Sequence, residues 1–194
     1  MVVRTQVALL MFTDARIGIE LRAGGTVAAA IGSRSDVCWG AAYAPCPRTG
    51  GGLGTGVHGA RFLICKGVYT FVGLARVGTT PKDYQAPRVR FMFPSASSRA
   101  FWGIEVRTGW LSFGGESRDW EGREHFAVGD EMGLVYDVAA GSLRVFKNDH
   151  LLGTAAASGL PGAGELVWAV SMMGRETGYD AEGQEVRLRI SHSK

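Results

Sequence analysis

The 28 residues from Phe126 to Gly153, FAVGDEMGLVYDVAAGSLRVFKNDHLLG, constrain the fold more than any other stretch of the chain. They hold two runs with the two-residue period of β-strands, Met132–Val138 and Ser142–Phe146. In the first, Leu134 and Tyr136 alternate with Val135 and Asp137; in the second, Leu143 and Val145 alternate with Arg144 and Phe146. The turn Ala139-Ala140-Gly141 ends one run, and Lys147-Asn148-Asp149 ends the other. Asn148 is the only asparagine in the sequence, and it stands where a tight hairpin needs a residue that tolerates positive φ. Asp130, directly after Gly129, opens this meander.

The rest of the chain repeats the theme of short apolar runs separated by glycine. Glycine supplies 29 of the 194 residues, about twice its ordinary share. Glycine or proline interrupts nearly every stretch that could carry apolar residues at helical spacing. The pattern predicts an all-β fold, a sandwich or a barrel, with about twelve strands and almost no helix. At 46% hydrophobic and 20% charged, the chain can bury a core, and its length suits one domain over residues 1–194.

In order, Gln6–Phe12 and Ile17–Leu21 are expected to pair around the turn Thr13–Arg16, and Thr26–Ile31 and Val37–Tyr43 around Gly32–Ser35. Pro45–Gly56 reads as a surface loop. Ala60–Cys65 and Tyr69–Ala75 read as a hairpin turning at Lys66-Gly67, followed by the long connection Pro81–Pro94. Phe101–Val106 and Trp110–Phe113 pair across Arg107–Gly109. Gly114–Glu124 reads as a polar loop whose Trp120 folds back onto the body. Leu166–Met172 is a nearly continuous apolar strand, and Glu185–Ile190 closes the fold. The expected core includes Phe71, Leu74, Trp102, Ile104, Leu134, Tyr136, Val145, Val170 and Leu188.

Chemistry is hard to place on this pattern. The net charge is +3 and dispersed; only Arg88, Arg90 and Arg99 come near to a basic cluster, which argues against a nucleic-acid surface. His58, His125, His150 and His192 have neither metal-ligand nor triad spacing, so no enzyme activity is expected. Cys38, Cys46 and Cys65 are too widely spaced for zinc. Their odd number favours free thiols in a reducing, intracellular setting, cytoplasmic rather than nuclear. The apolar run Val7–Phe12 is too short to span a bilayer, so no membrane association is expected. Gly54, Gly56 and Gly59 match G-x-G-x-x-G, but a strand follows them where a dinucleotide site needs a helix. No cofactor and no metal is expected.

The meander, with its Gly-Asp opening, its Gly turn and the run Leu143-Arg144-Val145-Phe146-Lys147-Asn148, resembles the core of a SPRY domain. The resemblance extends through Gly56-Val57-His58, Phe71–Ala75, Phe101–Ile104 and Leu166–Ser171. Residues 1–55 would then be N-terminal strands and a glycine-rich loop, and residues 56–192 the SPRY core. Two positions depart from the pattern: Ala60 stands where the family often has tryptophan, and Trp168 where it often has proline. The resemblance implies an all-β bent sandwich of two antiparallel sheets, a non-catalytic module that binds a partner protein or peptide through loops at one end. With no effector domain beside it, the module is expected to be a subunit of a larger assembly.

Tyr84 sits in a polar, proline-flanked connection where packing does not demand it, and a loop tyrosine suits a partner surface. SPRY proteins that carry a SOCS box use a tyrosine in the corresponding loop to bind peptides. By that resemblance the partner-binding residues would be Tyr84, Pro47, Arg48, Met172, Met173 and Gly174, from loops that converge. A methionine replaces the tryptophan of the last segment, so peptide specificity does not carry over. Two other functions compete with this one: a nucleic-acid-associated protein using Arg88, Arg90 and Arg99, and a carbohydrate-binding sandwich.

Overall fold

The computed structural model describes residues 14–16, 19–25, 27–30, 39–44, 51–66, 70–78, 100–114, 116–173 and 185–190. Within them lie fourteen strands and no α-helix. They are β1 (Asp14–Arg16), β2 (Ile19–Arg22), β3 (Val27–Ala30), β4 (Trp39–Ala44), β5 (Val57–Lys66), β6 (Thr70–Arg76), β7 (Phe101–Glu105) and β8 (Leu111–Phe113). They continue as β9 (Glu116–Arg118), β10 (Glu131–Asp137), β11 (Ser142–Lys147), β12 (His150–Ala156), β13 (Leu166–Met173) and β14 (Glu185–Ile190). Two seven-stranded sheets result. The first has the order β1-β4-β13-β6-β7-β8-β9, the second β12-β11-β10-β5-β14-β3-β2.

Alternation along each strand builds the core. In β10 the inward Met132, Leu134 and Tyr136 are buried, while the residues between them keep some exposure. Leu143 and Val145 of β11 meet them from the next strand, Leu134 opposite Val145 and Tyr136 opposite Leu143. Phe62 and Trp168 join the two sheets edge to face, with ring centroids 6.2 Å apart. Leu74, Trp102, Ile104 and Val170 belong to the same cluster, as the sequence pattern predicts. Leu188 pairs with Phe62 through its backbone; its side chain lies outside the described residues.

Phe71 is buried on the other face. With Ala75, Phe101, Val167 and Ala169 it forms a second apolar cluster on the outer side of the first sheet. Strands β6, β7 and β13 are thus buried on both faces, which is why they read as continuous apolar runs. Between the two clusters Gly73 and Gly103 lie directly opposite each other. A Cβ on Gly73 would come within 2.4 Å of the Gly103 Cα, so the backbones meet where only glycine fits.

Three expected pairings are corrected by the topology. The residues assigned to the turn Thr13–Arg16 include strand β1, which pairs with Ala41–Tyr43. β1 is a three-residue strand at the edge of the first sheet. Strands β3 and β4 do not form a hairpin, and neither do β5 and β6; each pair divides between the two sheets. Alternation fixes a strand's inward face, but nothing local fixes its neighbour. Strand Gln6–Phe12 and the connection Pro81–Pro94 lie outside the described residues.

Strands β9 and β12 are absent from the sequence reading. β9 is three exposed residues, and β12 lacks clean alternation because its register against β11 slips twice. The slips leave Leu152 and Ala155 as extra residues, both half-buried against the core. These bulges, and Gly122 lying against the Leu152 carbonyl, protect an edge that has no charged residue from Leu151 to Gly159. The other three edges use charge: Asp14 and Arg16, Glu20 and Arg22, Glu116 and Arg118.

Candidate partner-binding surface

The register of β13 assigns each connection to an end of the sandwich. Strand β4 finishes at Ala44, opposite Trp168, and β6 finishes at Arg76, opposite Leu166. At that end Leu53 donates its amide to the Leu166 carbonyl and accepts from the Gly164 amide, both at 2.6 Å. Arg76 donates to the Ala100 carbonyl at 2.9 Å and Val77 to the Glu165 carbonyl at 2.8 Å. The stems of the Pro45–Gly56 loop and of the connection that carries Tyr84 therefore stand side by side. Val138 donating to Gly56 and Leu160 donating to Gly141 complete a platform held by main-chain bonds.

Few described side chains cross-link this end. Arg76 pairs with Glu165 at 2.8 Å, half exposed on both sides. One ring nitrogen of His58 lies 2.9 Å from the Gly54 carbonyl. The Tyr136 hydroxyl donates to the Pro161 carbonyl; burial first, then the charges of Glu165 and Asp137, push its pKa up. Leu53, only 2% exposed, is the anchor of the loop, a role the glycine-rich sequence around it conceals.

At the opposite end a side-chain network adds to main-chain bonds such as Gly129 to Ile64, Ile64 to Asp130 and Asn148 to Glu131. Asp130 accepts from the Ala127 amide and from Asn148 Nδ2, each at 2.8 Å, and lies 3.5 Å from Lys147 Nζ. Burial alone would raise the Asp130 pKa; the two hydrogen bonds and the Lys147 charge outweigh it and hold the carboxyl below its ordinary value. Asn148 Oδ1 accepts the Glu131 amide at 2.8 Å. Asn148 and Asp149 both adopt positive φ, 50° and 68°, the turn that the lone asparagine predicts. Lys147 reaches Glu124 at 3.2 Å and donates to the His125 carbonyl at 2.9 Å. Arg61 spans Glu131 at 2.8 Å and Asp149 at 2.5 Å. Trp120 folds back as expected, its indole N–H donating to the Gly109 carbonyl at 2.8 Å.

The residues expected to bind a partner fare unequally. Tyr84, Pro47, Arg48 and Gly174 lie outside the described residues, as do Arg88, Arg90 and Arg99. Met172 is fully buried and packs in the main core, facing inward like Val170 before it; it is a packing residue and lines no surface. Met173, the last residue of β13, lies opposite Trp39, at the far end of the strand from Leu166. The eight residues of β13 span roughly 25 Å at the usual strand rise. Two of the three expected loop stems meet at one end, and the third leaves from the other.

Neither a protein-family model nor a curated protein matches the chain. Solved structures do. The SPRY domain of human HERC1 is similar over 93% of this chain and 96% of its own, at 17% identity and a TM-score of 0.65. The TRIM65 PSpry domain is similar over 94% and 92%, at 13% identity and a TM-score of 0.59. The chain has the SPRY fold, a β-sandwich of antiparallel sheets. Among the described residues no helix is long and apolar enough to cross a membrane.

Proposed function

We propose that this protein is a non-catalytic protein-interaction module that grips a partner protein or peptide at the glycine-rich end of its sandwich. The SPRY fold supports the interaction role, since SPRY domains in general bind other proteins. The observation that carries the choice of end is the meeting of two loop stems, Leu53 against Leu166 and Arg76 against Ala100. A platform tied by main-chain bonds leaves the side chains of the connections above it free to vary with the partner. Tyr84 supplies the anchoring ring and Arg48 a directional donor, with Pro47 stiffening the chain just before Arg48. Met173 ends β13 at the far end of the strand from Leu166, so this reading of the site rests on Tyr84, Arg48 and Pro47. The module works as a subunit of a larger assembly inside the cell, in the cytoplasm.

Affinity capture from cells expressing the tagged protein tests this, with quantitative mass spectrometry comparing wild type, Tyr84→Ala and Arg48→Ala. Tyr84→Ala is expected to deplete a defined partner set by an order of magnitude or more, the loss of a hot spot worth about 2 kcal/mol. Its melting temperature stays near that of wild type. An unchanged partner set for both variants removes the site.

A further inference from the structure

The outer face of the second sheet, over β10, β11 and β12, carries an unmatched charge set in apolar surroundings. Seven arginine side chains are described. Six have a carboxylate within 4 Å: Arg22 with Glu20, Arg61 with Glu131, Arg76 with Glu165, Arg107 with Glu105, Arg118 with Glu116 and Arg123 with Asp119. The exception among them is Arg144, exposed and in the middle of β11. Its flanking residues Leu143 and Val145 are fully buried, so Arg144 and Phe146 share the outward face. Arg144 stands opposite Val135 on one side and Thr154 on the other. One step along, Phe146 stands between Gly133 and Leu151, its side chain over the space a Gly133 Cβ would occupy. Leu151 is 49% exposed, one of four large apolar residues so exposed among those described.

We propose that this face is a second docking surface, for a protein segment that sets an acidic side chain beside an apolar one. The carboxylate would meet the Arg144 guanidinium, a paired fork that lysine cannot reproduce. The apolar neighbour would rest on Phe146, Leu151 and Val135. Among the described residues no carboxylate pairs with Arg144, which gives the surface its polarity, since like-signed segments are rejected and acidic ones steered in. The face is separate from the loop stems at the glycine-rich end, so the two proposals stand or fall independently.

A random peptide library displayed on phage and selected on the intact domain tests it. Selected peptides are synthesised and titrated into wild type, Arg144→Glu, Arg144→Lys, Leu151→Ser and Tyr84→Ala, with melting curves confirming that each variant is folded. Peptides pairing aspartate or glutamate with an apolar residue are expected, bound at least tenfold more weakly by Arg144→Glu and several-fold more weakly by Arg144→Lys and Leu151→Ser. Backbone amide shifts in β10–β12 should accompany binding. A selection that yields no binders, or binders indifferent to Arg144→Glu, overturns the proposal. Binders lost only with Tyr84→Ala overturn it too and favour the glycine-rich end.

Discussion

The two ends of the sandwich differ in how much their side chains add to the main-chain bonds. At one end Asp130, Lys147, Asn148, Arg61 and Glu131 tie three turns together through side chains. At the other, main-chain bonds join Leu53 to Leu166 and Gly164, Val77 to Glu165, Val138 to Gly56 and Leu160 to Gly141, with glycine admitting the close approach. A side-chain network fixes both the geometry and the chemistry of its surface, because the residues that would face a partner are already committed. A main-chain platform fixes geometry alone and leaves chemistry to the loops it supports. That difference supports the proposal of an interaction site at the glycine-rich end.

The largest effect expected from breaking this contrast is at Gly52. A Cβ there would sit 2.1 Å from the Gly164 carbonyl oxygen, inside the backbone that carries the loop stems. Gly52→Ala should cost about 3 kcal/mol in denaturant unfolding. Gly54→Ala, two residues away with open space around it, should change stability by no more than about 0.5 kcal/mol. Equal effects would mean that the glycines serve chain flexibility and not close packing.

At the charged end, Asn148→Ala removes two side-chain hydrogen bonds and strains a residue at φ 50°. A loss of about 2 kcal/mol is expected. Asn148→Gly, which accepts the backbone angle but not the bonds, should recover only part of it.

Acid should sharpen the contrast further. The Asp130 pKa is depressed in the folded state, so its stabilisation is present above the ordinary aspartate value, about 4, and fades as pH falls through the lower folded value. Melting temperature against pH should therefore fall less steeply below about pH 4 in Asp130→Asn than in wild type. A parallel pair of curves would assign acid sensitivity to other carboxylates.

The smallest effect concerns the side-chain exception at the main-chain end. Tyr136→Phe deletes the donor to the Pro161 carbonyl while keeping the buried ring, and should cost about 1 kcal/mol.

Much of this architecture was legible in the sequence, for reasons that also explain what was not. Leu134, Tyr136, Leu143 and Val145 alternate on either side of the Gly141 turn, and a single asparagine marks the turn that follows, so the central meander reads directly. The partners of β3, β4, β5 and β6 did not read, because alternation says which side of a strand faces in and nothing about which sheet holds it. β12 stayed hidden because two bulges break its period. Met172 looked available as a wall for a partner, yet its place two residues after Val170 on one strand carries it into the core. Leu53, wrapped in glycines, shows no pattern that would mark it as an anchor.

The contrast between the ends is tested most directly by native-state amide hydrogen exchange on wild type and Asn148→Ala at one pH. If the ends are held by separate means, the variant should lose protection at the Glu131 and Ala127 amides, which bond to the side-chain network. The amides of Leu53, Gly164 and Leu160, which bond to carbonyls at the glycine-rich end, should keep theirs to within the small global change. Protection lost equally at both ends would contradict the account, showing that the platform under the loops depends on the charged network.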